Sequence, residues 1–452
     1  VTHAVGSLNA LAIGGSSTTG AAGVEADIKT FASFGVHATV VVTAIASQNT
    51  RGVQDVFYLP DRVISQQIDS IFSDMKINAV KIGMLGNESI ISVVYDGLRR
   101  WHGTNIVLDP VMTAQSDGSW LVDRESIGGI EKLVRLSKIV TPNIAEAENL
   151  TGLGIRSIDD AKKAALLIKK KGPEAVLVKG IKQGNRIADV LLHENFKIFS
   201  KEMVSTRTHG GGCCFSSAIA ACLAKGLQIE DSCKEAECFI DDAIRNSMKI
   251  GRGAEAVDPT ACLRMNAERF AVIYDVKAAL MSIENCPGFS SLIPEVGTNI
   301  VRAIPNAKGI NDVAGVAGRI RNTMGAPKSL GIIEFGASSH LARAVLKMME
   351  FNSSKRAAIN IRLTDATLAG CNKIGLRVSS YDRSKEPQEI KRKEGSTIPW
   401  GIETAVKNTR SIPDAVYQKG EVGREPSLIL FGDSARDVAR LALRLVPPKA
   451  TK

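Results

Sequence analysis

The segment Thr208-His-Gly-Gly-Gly-Cys-Cys-Phe-Ser-Ser-Ala puts three glycines in front of a small-residue run, Ser217-Ala-Ile-Ala-Ala-Cys-Leu-Ala-Lys-Gly. That order predicts a turn opening a helix. Successive backbone N–H groups of Gly210, Gly211 and Gly212 could then cradle a phosphoryl oxygen at the positive helix end. Cys213 falls in the first helical turn, where a thiol's pKa drops and a thiolate could accept the proton of a substrate alcohol. From this segment alone, a glycine turn before a buried helix, with Cys213 as a small core residue, is an equally good reading.

Other residues suit the same chemistry. Thr141-Pro-Asn-Ile-Ala-Glu spaces Asn143 and Glu146 three apart, where they could help hold Mg²⁺ through water beside phosphates, although NxxE is common on surface helices. Asp109 ends one β-branched run with a carboxylate, and Lys179 ends another with a charge that could meet a nucleotide phosphate. The C-terminal half offers Asp312-Val-Ala-Gly-Val-Ala-Gly-Arg and Gly331-Ile-Ile-Glu-Phe-Gly-Ala-Ser-Ser-His. Arg319, after what reads as a glycine loop, could clamp a pyrophosphate in bidentate fashion. Amides at Ala337–His340 could form a second anion site, with His340 at the turn.

These residues need strands that end in loops, and the sequence supplies them. Leu8–Gly15, Thr39–Ala46, Ala79–Ile82, Ile106–Leu108, Lys138–Val140 and Ala175–Val178 read as short buried strands. Helical stretches lie between most of them, including one from Ala22 through Phe31, Val63–Asp74 and Ile158–Lys171. Alternation of this kind predicts an α/β fold with a mostly parallel sheet covered on both faces, and ligands at the carboxyl ends of its strands. Beyond Ala254 the pattern changes. One amphipathic helix over Ala267–Ser282 precedes a second α/β series with strands at Leu330–Phe335, Ala358–Leu363, Gly375–Ser380, Ala415–Tyr417 and Leu428–Phe431. The predicted domains are 1–261 and 262–452, and the terminal Pro447-Pro-Lys-Ala-Thr-Lys is expected to fray.

With 452 residues the chain can bury two cores. A net charge of +10 without any run of five Lys or Arg favours phosphate-bearing substrates over nucleic acid. Eight cysteines with no CxxC pair suit reduced thiols and a cytoplasmic protein. No charged and apolar leader opens the sequence and no long apolar run follows, so neither export nor a membrane is expected.

Together, LNALAIGGS, GVEADIKTF, ASQNTRGVQ, VKIGMLG, VLDPVM, TPNIAEAE, VLVKG and THGGGC, in that order over about residues 8–254, resemble the ribokinase superfamily. The specific resemblance is to hydroxymethylpyrimidine and hydroxymethylpyrimidine-phosphate kinase (ThiD-type) of thiamine synthesis. It implies a ribokinase-like three-layer sandwich that uses Mg²⁺ and ATP to phosphorylate the hydroxymethyl group and then the monophosphate. It implies that Ala22, Asp27, Gln48, Met84 and Val111 line the pyrimidine pocket, with Gln48 on the ring's nitrogen edge. Gly210–Cys213 would be the anion hole and Cys213 the base. Two departures stand out. Ser17 replaces an Asp usual in the family's first glycine loop, and Gly211 and Cys214 stand at two positions where threonines are usual.

The second half resembles the ThiN-type thiamine-phosphate synthase domain over about residues 265–447, through the motifs above and LIPEVGTNI, NIR, DRSKEP and PDAVYQKGEVGREP. That family joins hydroxymethylpyrimidine diphosphate to hydroxyethylthiazole phosphate and releases pyrophosphate. The resemblance implies that Arg319 and His340 stabilise the leaving group. Asn299, Asp312, Ser338, Arg343, Arg362, Asp382, Arg383 and Glu386 would line the site. A non-catalytic, thiamine-phosphate-sensing domain is the alternative. Small-molecule partners and a homo-oligomer are expected.

Overall fold

The computed structural model describes residues 8–113, 126–204, 206–420 and 425–447. Part of the last synthase-like motif (421–424) and the tail expected to fray (448–452) lie outside the described residues. The chain forms two compact units, Val1–Leu263 and Arg264–Lys452. Among the described residues no helix is long and apolar enough to cross a membrane.

The first unit is built on a nine-stranded sheet, from β1 (Asn9–Ser17), β2 (His37–Asn49), β3 (Gly52–Tyr58), β4 (Ala79–Ile82), β5 (Ile106–Leu108), β6 (Ile139–Val140), β7 (Ala175–Gln183), β8 (Arg186–Leu192) and β9 (Phe196–Glu202). Their order is β3-β2-β1-β4-β5-β6-β7-β8-β9. The six from β2 to β7 are parallel, and β3, β8 and β9 add antiparallel edges. The β8–β9 hairpin is an element the sequence reading did not separate.

Side chains alternate across this sheet. Leu11, Ile13, Val80 and Ile82 enter one core, packed under α2 (Asp61–Phe72), α3 (Glu88–Arg100), α4 (Ile127–Leu136), α5 (Ile144–Thr151) and α6 (Ile158–Lys169). Ala10, Ala12 and Ala79 face the other way, toward α1 (Gly23–Ser33), α7 (Gly211–Ala224) and α8 (Ile229–Arg245). Small residues on that face, and the Ala, Ser and Cys of α7, let α7 approach the sheet closely. Every residue of α7 from Cys214 to Ala224 is buried. A two-stranded parallel ladder of β10 (Thr208–His209) and β11 (Glu255–Ala256) anchors the chain entering α7.

The second unit opens with α9 (Ala261–Glu284), which turns Val276, Ala279, Leu280 and Ile283 into the core. Its seven-stranded sheet has the order β16-β13-β12-β17-β20-β19-β18. The strands are β12 (Ile300–Ala303), β13 (Val313–Val316), β16 (Ile333–Phe335), β17 (Ala357–Arg362), β18 (Val378–Ser380), β19 (Ala415–Gln418) and β20 (Ser427–Gly432), with a separate hairpin of β14 (Ile320–Thr323) and β15 (Ala326–Ser329). Around it run α10 (Ser339–Phe351), α11 (Asp365–Lys373), α12 (Gln388–Arg392), α13 (Thr397–Lys407) and α14 (Ala435–Leu443). All neighbours in the sheet are antiparallel except β18 and β19. Val313–Val316, read from the sequence as part of a glycine loop, is a fully buried strand. The turn is confined to the residues before Ile320.

Candidate active sites

In the first unit every N-terminal residue singled out from the sequence except Cys214 borders one cavity of about 530 Å³. The parallel strands explain this, because β1, β4, β5, β6 and β7 all deliver their carboxyl ends to the same side. Gly210 precedes α7 with φ +93°, and a β-carbon there would stand 1.8 Å from the Ala21 carbonyl oxygen. Only glycine fits. Among the described residues no side chain caps α7, which leaves its first-turn amides available to an anion.

Beneath the hole lies a buried ionic network that the sequence reading missed. Lys81 Nζ sits 2.9 Å from Asp27 Oδ2, with 1% and 0% of the two side chains exposed. Ser217 Oγ on α7 donates to Asp27 Oδ1 at 2.7 Å. The ammonium curls over Gly83, where a β-carbon would come within 2.7 Å of it. Burial works against the Lys81 charge, but Asp27, Cys213 and Asp109 outweigh it and hold its pKa above the ordinary lysine value. The clue in the sequence was a lysine inside the otherwise apolar strand Ala79-Val-Lys-Ile.

Cys213 differs from expectation. Its thiol pKa is raised, not lowered: burial pushes it up, and Asp27 and Asp109 add to that against the Lys81 charge and a hydrogen bond with the Gly23 backbone. The helix end alone does not set it. Cys214 is buried against Thr30 and pushed up to about 12 by burial, so the departure at that position changes a core contact and not the cavity wall.

Lys179 and Asp109 form a second ion pair at 2.8 Å, and Gly212 faces both. Lys179 and Gly180 sit where a bulge shifts the β7–β8 register, which aims the lysine out of the ladder. Asn143 and Glu146 make a reciprocal capping box on α5. Burial and the Asp109 charge push the Glu146 carboxyl up to about 8. Among the described residues no group of three or more His, Cys, Asp or Glu forms a ready cage for a metal. Carboxylate and amide oxygens are nevertheless the donors that a largely hydrated Mg²⁺ prefers, and a cation would relieve the crowding of Glu146 with Asp109. The donor set fits.

Gln48 also lies at a bulge, in β2, and its amide is held at both ends. Ser17 Oγ donates to Gln48 Oε1 at 2.9 Å, and Gln48 Nε2 meets His209 Nε2 at 3.1 Å. A carboxylate does reach this loop despite Ser17. Glu25 accepts from Ser16 Oγ at 2.6 Å and from the Ser17 amide at 2.8 Å. Ala22 precedes α1, and Met84 lies against Gly15. Val111 follows β5, with its amide on the Asp109 carbonyl.

In the second unit the register collects candidates at one end of the sheet. Asn299 precedes β12 beside Asn360, Arg362 ends β17 opposite Ser427, and Ser380 leads from β18 into Asp382, Arg383 and Glu386. Arg319 lies beyond β13 at the same end. Gly318 and Arg319 are both left-handed, with φ +74° and +69°. A β-carbon makes that region costly by about 1–2 kcal/mol. Arg319 Nη1 donates to the Val296 carbonyl at 2.6 Å, and its Cβ lies against Gly297. Ser338 precedes α10 near Gly315, and among the described residues no side chain caps that helix. His340, its second residue, is exposed, and Arg343 lies against Gly395.

Not all candidates share this environment. Asn299 is buried, and its amide group is bonded to the Val316 and Ile300 backbone, so it ties β12 to β13. Asp312 stands at the opposite end of β13 from Arg319, where its carboxylate accepts from the Lys308 and Gly309 amides. Asp382 caps the turn to Ser384, and Arg383 and Glu386 face each other at 4.0 Å, both buried.

The parallel sheet and the glycine-fronted helix tip over a lysine–carboxylate floor define a ribokinase-like α/β sandwich, here followed by a second α/β domain. Residues 17–258 match the family model for phosphomethylpyrimidine kinase, and residues 275–444 match that for thiamine-phosphate synthase ThiN. The chain is 32% identical over 437 residues to the bifunctional thiamine biosynthesis protein ThiDN of Methanocaldococcus jannaschii, covering 95% of this chain and 96% of the relative. It is 42% identical over 174 residues to the ThiN thiamine-phosphate synthase of Methanothermobacter thermautotrophicus, covering 38% of this chain and 92% of the relative. An ADP complex of Bacillus subtilis pyridoxal kinase is 31% identical and superposes with a TM-score of 0.53, covering 56% of this chain and 98% of the other. The chain belongs to the family of bifunctional thiamine biosynthesis proteins in which a ThiD-type kinase is fused to a ThiN-type synthase domain.

Proposed function

We propose that the first unit phosphorylates hydroxymethylpyrimidine and its monophosphate from ATP, and that the second couples the diphosphate to hydroxyethylthiazole phosphate, giving thiamine phosphate and pyrophosphate. The observation that carries the kinase half is the convergence of the α7 tip, the Lys81–Asp27 pair and the Lys179–Asp109 pair on one cavity. The solved ADP complex of a relative with this fold supports the nucleotide.

Gln48, pre-set by Ser17 and His209, would read the pyrimidine edge. The amides of Gly211–Cys213 would receive the transferring phosphoryl oxygens, and Lys179 would meet the nucleotide phosphates. Asp109, Asn143 and Glu146 would hold Mg²⁺, which when bound supplies charge neutralisation for the phosphates. For the alcohol substrate, its O–H proton passes to the Cys213 sulfur as the new P–O bond forms and ADP departs. The monophosphate attacks through an oxygen that is already anionic and needs no base. Cys213 therefore matters chiefly to the first step, and its raised pKa makes that step faster as pH climbs. In the second unit Arg319 and the α10 tip would take the charge of departing pyrophosphate, with His340 donating to it, while the thiazole nitrogen attacks the pyrimidine methylene.

One incubation tests both halves. With hydroxymethylpyrimidine phosphate, ATP, Mg²⁺ and thiazole phosphate, thiamine phosphate is expected, and diphosphate that accumulates uncoupled would defeat the synthase reading. In Cys213→Ala the alcohol step should fall about 100-fold or more while the monophosphate step changes little. Equal losses in both steps would refute the base.

A further inference from the structure

One wall of the kinase cavity, beside Lys179, is formed by Ile187, Asp189, Lys201, Ile240 and Ile244, to which the roles above give no part. Asp189 on β8 and Glu237 on α8 are both buried. Asp189 Oδ1 accepts the Gly180 N–H at 2.6 Å, the amide that the β7 bulge releases from the ladder. Glu237 Oε2 accepts from Lys201 Nζ at 2.7 Å. Among the described residues no N–H or O–H donor faces the buried Glu237 Oε1. The Asp189 carboxyl lies on the same face of the β8–β9 ladder as Lys201, within hydrogen-bonding reach of the Glu237 carboxyl. Ionised carboxylates only accept, so two of them bond to each other only when one carries a proton.

We propose that Asp189 and Glu237 share a single proton, and that this acid pair positions the Lys179–Gly180 bulge for the phosphates of the bound nucleotide. The proposal rests on the kinase reading above. Both are positioning residues. Asp189 acts through the Gly180 amide, and Glu237 acts through Asp189.

The charged and titratable surroundings agree. Lys201 comes from β9, Asp189 from β8 and Lys179 from the end of β7, and Cys233 lies one turn earlier on α8 with Cys222 of α7 behind it. Burial and Asp189 together push the Glu237 carboxyl up to about 8, against the pull of Lys201. The shared proton is therefore present at neutral pH and lost as pH rises through that value. Two adjacent anions then remain for one lysine, and Asp189 loses the neighbour that holds it toward Gly180.

The test uses the full chain with hydroxymethylpyrimidine phosphate, Mg²⁺ and ATP, and in parallel the calorimetric Kd of ADP. For the native protein, KM for ATP and Kd for ADP should rise several-fold from about pH 7 to about pH 9, with kcat moving much less. Glu237→Gln keeps a donor toward Asp189 and should flatten that profile, whereas Glu237→Ala should raise KM at every pH. Superimposable profiles for the native protein and Glu237→Gln would overturn the proposal. So would an infrared difference spectrum at neutral pH that shows no protonated-carboxyl band lost in Glu237→Gln. Should Glu237→Ala fail to fold, the Glu237→Gln profile and spectrum decide. A chain that binds ADP with the expected pH dependence yet never phosphorylates the pyrimidine would sink the kinase reading and leave the acid pair standing.

Discussion

Among the described residues no side chain caps the N-terminus of α7 or of α10, but the two helix tips stand in opposite surroundings. In the first unit, the α7 tip stands over charges paired with each other, Lys81 with Asp27 fully buried and Lys179 with Asp109 largely so. In the second, the α10 tip carries an exposed His340, and Arg319 spends one guanidinium N–H on a backbone carbonyl at a strained loop. The contrast suits the reactions proposed for the two units. Phosphoryl transfer from ATP must exclude water as acceptor, so its charges are pre-set in a low-dielectric cavity. Release of pyrophosphate brings the anion with the substrate, and an arginine that never loses its charge can wait at an open strand end.

The largest expected effect sharpens this contrast. Gly210→Ala drives a methyl into the Ala21 carbonyl and should lower kinase turnover by about 100-fold or more, because displacing a catalytic contact by an ångström costs that much. Synthase turnover supplied with ready-made diphosphate should be unchanged, and a matching loss in both reactions would end the claim that the two tips work independently. Next is Lys81→Met, which leaves Asp27 as an unpaired buried charge. About 3–5 kcal/mol of first-unit stability should be lost in denaturant titration and largely recovered in Lys81→Met/Asp27→Asn. No recovery in the double variant would mean that the lysine packs rather than pairs.

The smallest effect is a divergence in pH dependence. Glu146 and Glu237 hold protons up to about 8 that an unfolded chain releases near the ordinary glutamate value of 4.5. Their contribution to first-unit stability is thus full below about 4.5 and lost as pH rises to about 8. In the second unit, hydrogen bonds from Lys347 and Lys407 lower Glu403 to about 2, and burial of Asp414 is outweighed by Arg377 and Lys355, which lower it too. That stability is present above the ordinary carboxylate range and lost as pH falls toward about 2. Peptide-resolved hydrogen exchange across a pH series separates the units, and parallel trends in both would contradict these assignments.

How much of this was legible in the sequence differed by region. In the first unit the strand-end motifs are contiguous, and a parallel sheet must deliver them to one side, so the cavity residues could be named in advance. Lys81 escaped because a lone lysine in a strand gains meaning only from Asp27, 54 positions away. The Cys213 pKa was misjudged for a similar reason. The local signal is the helix tip, while the deciding influences are burial and carboxylates from α1 and the end of β5. In the second unit the antiparallel order could not be read from alternating strands and helices. Val313-Ala-Gly-Val is small enough to pass for a loop, which carried Asp312 to the wrong end of its strand.

The α7 helix has a consequence beyond holding its glycines. Cys214 through Ala224 are all buried, and the first turn is closed by the Cys214 amide on the Gly210 carbonyl. A phosphate arriving at its tip finds amides with almost no freedom left to surrender. The ordering cost of that binding was met during folding, so affinity there should be limited by desolvation of the phosphate itself.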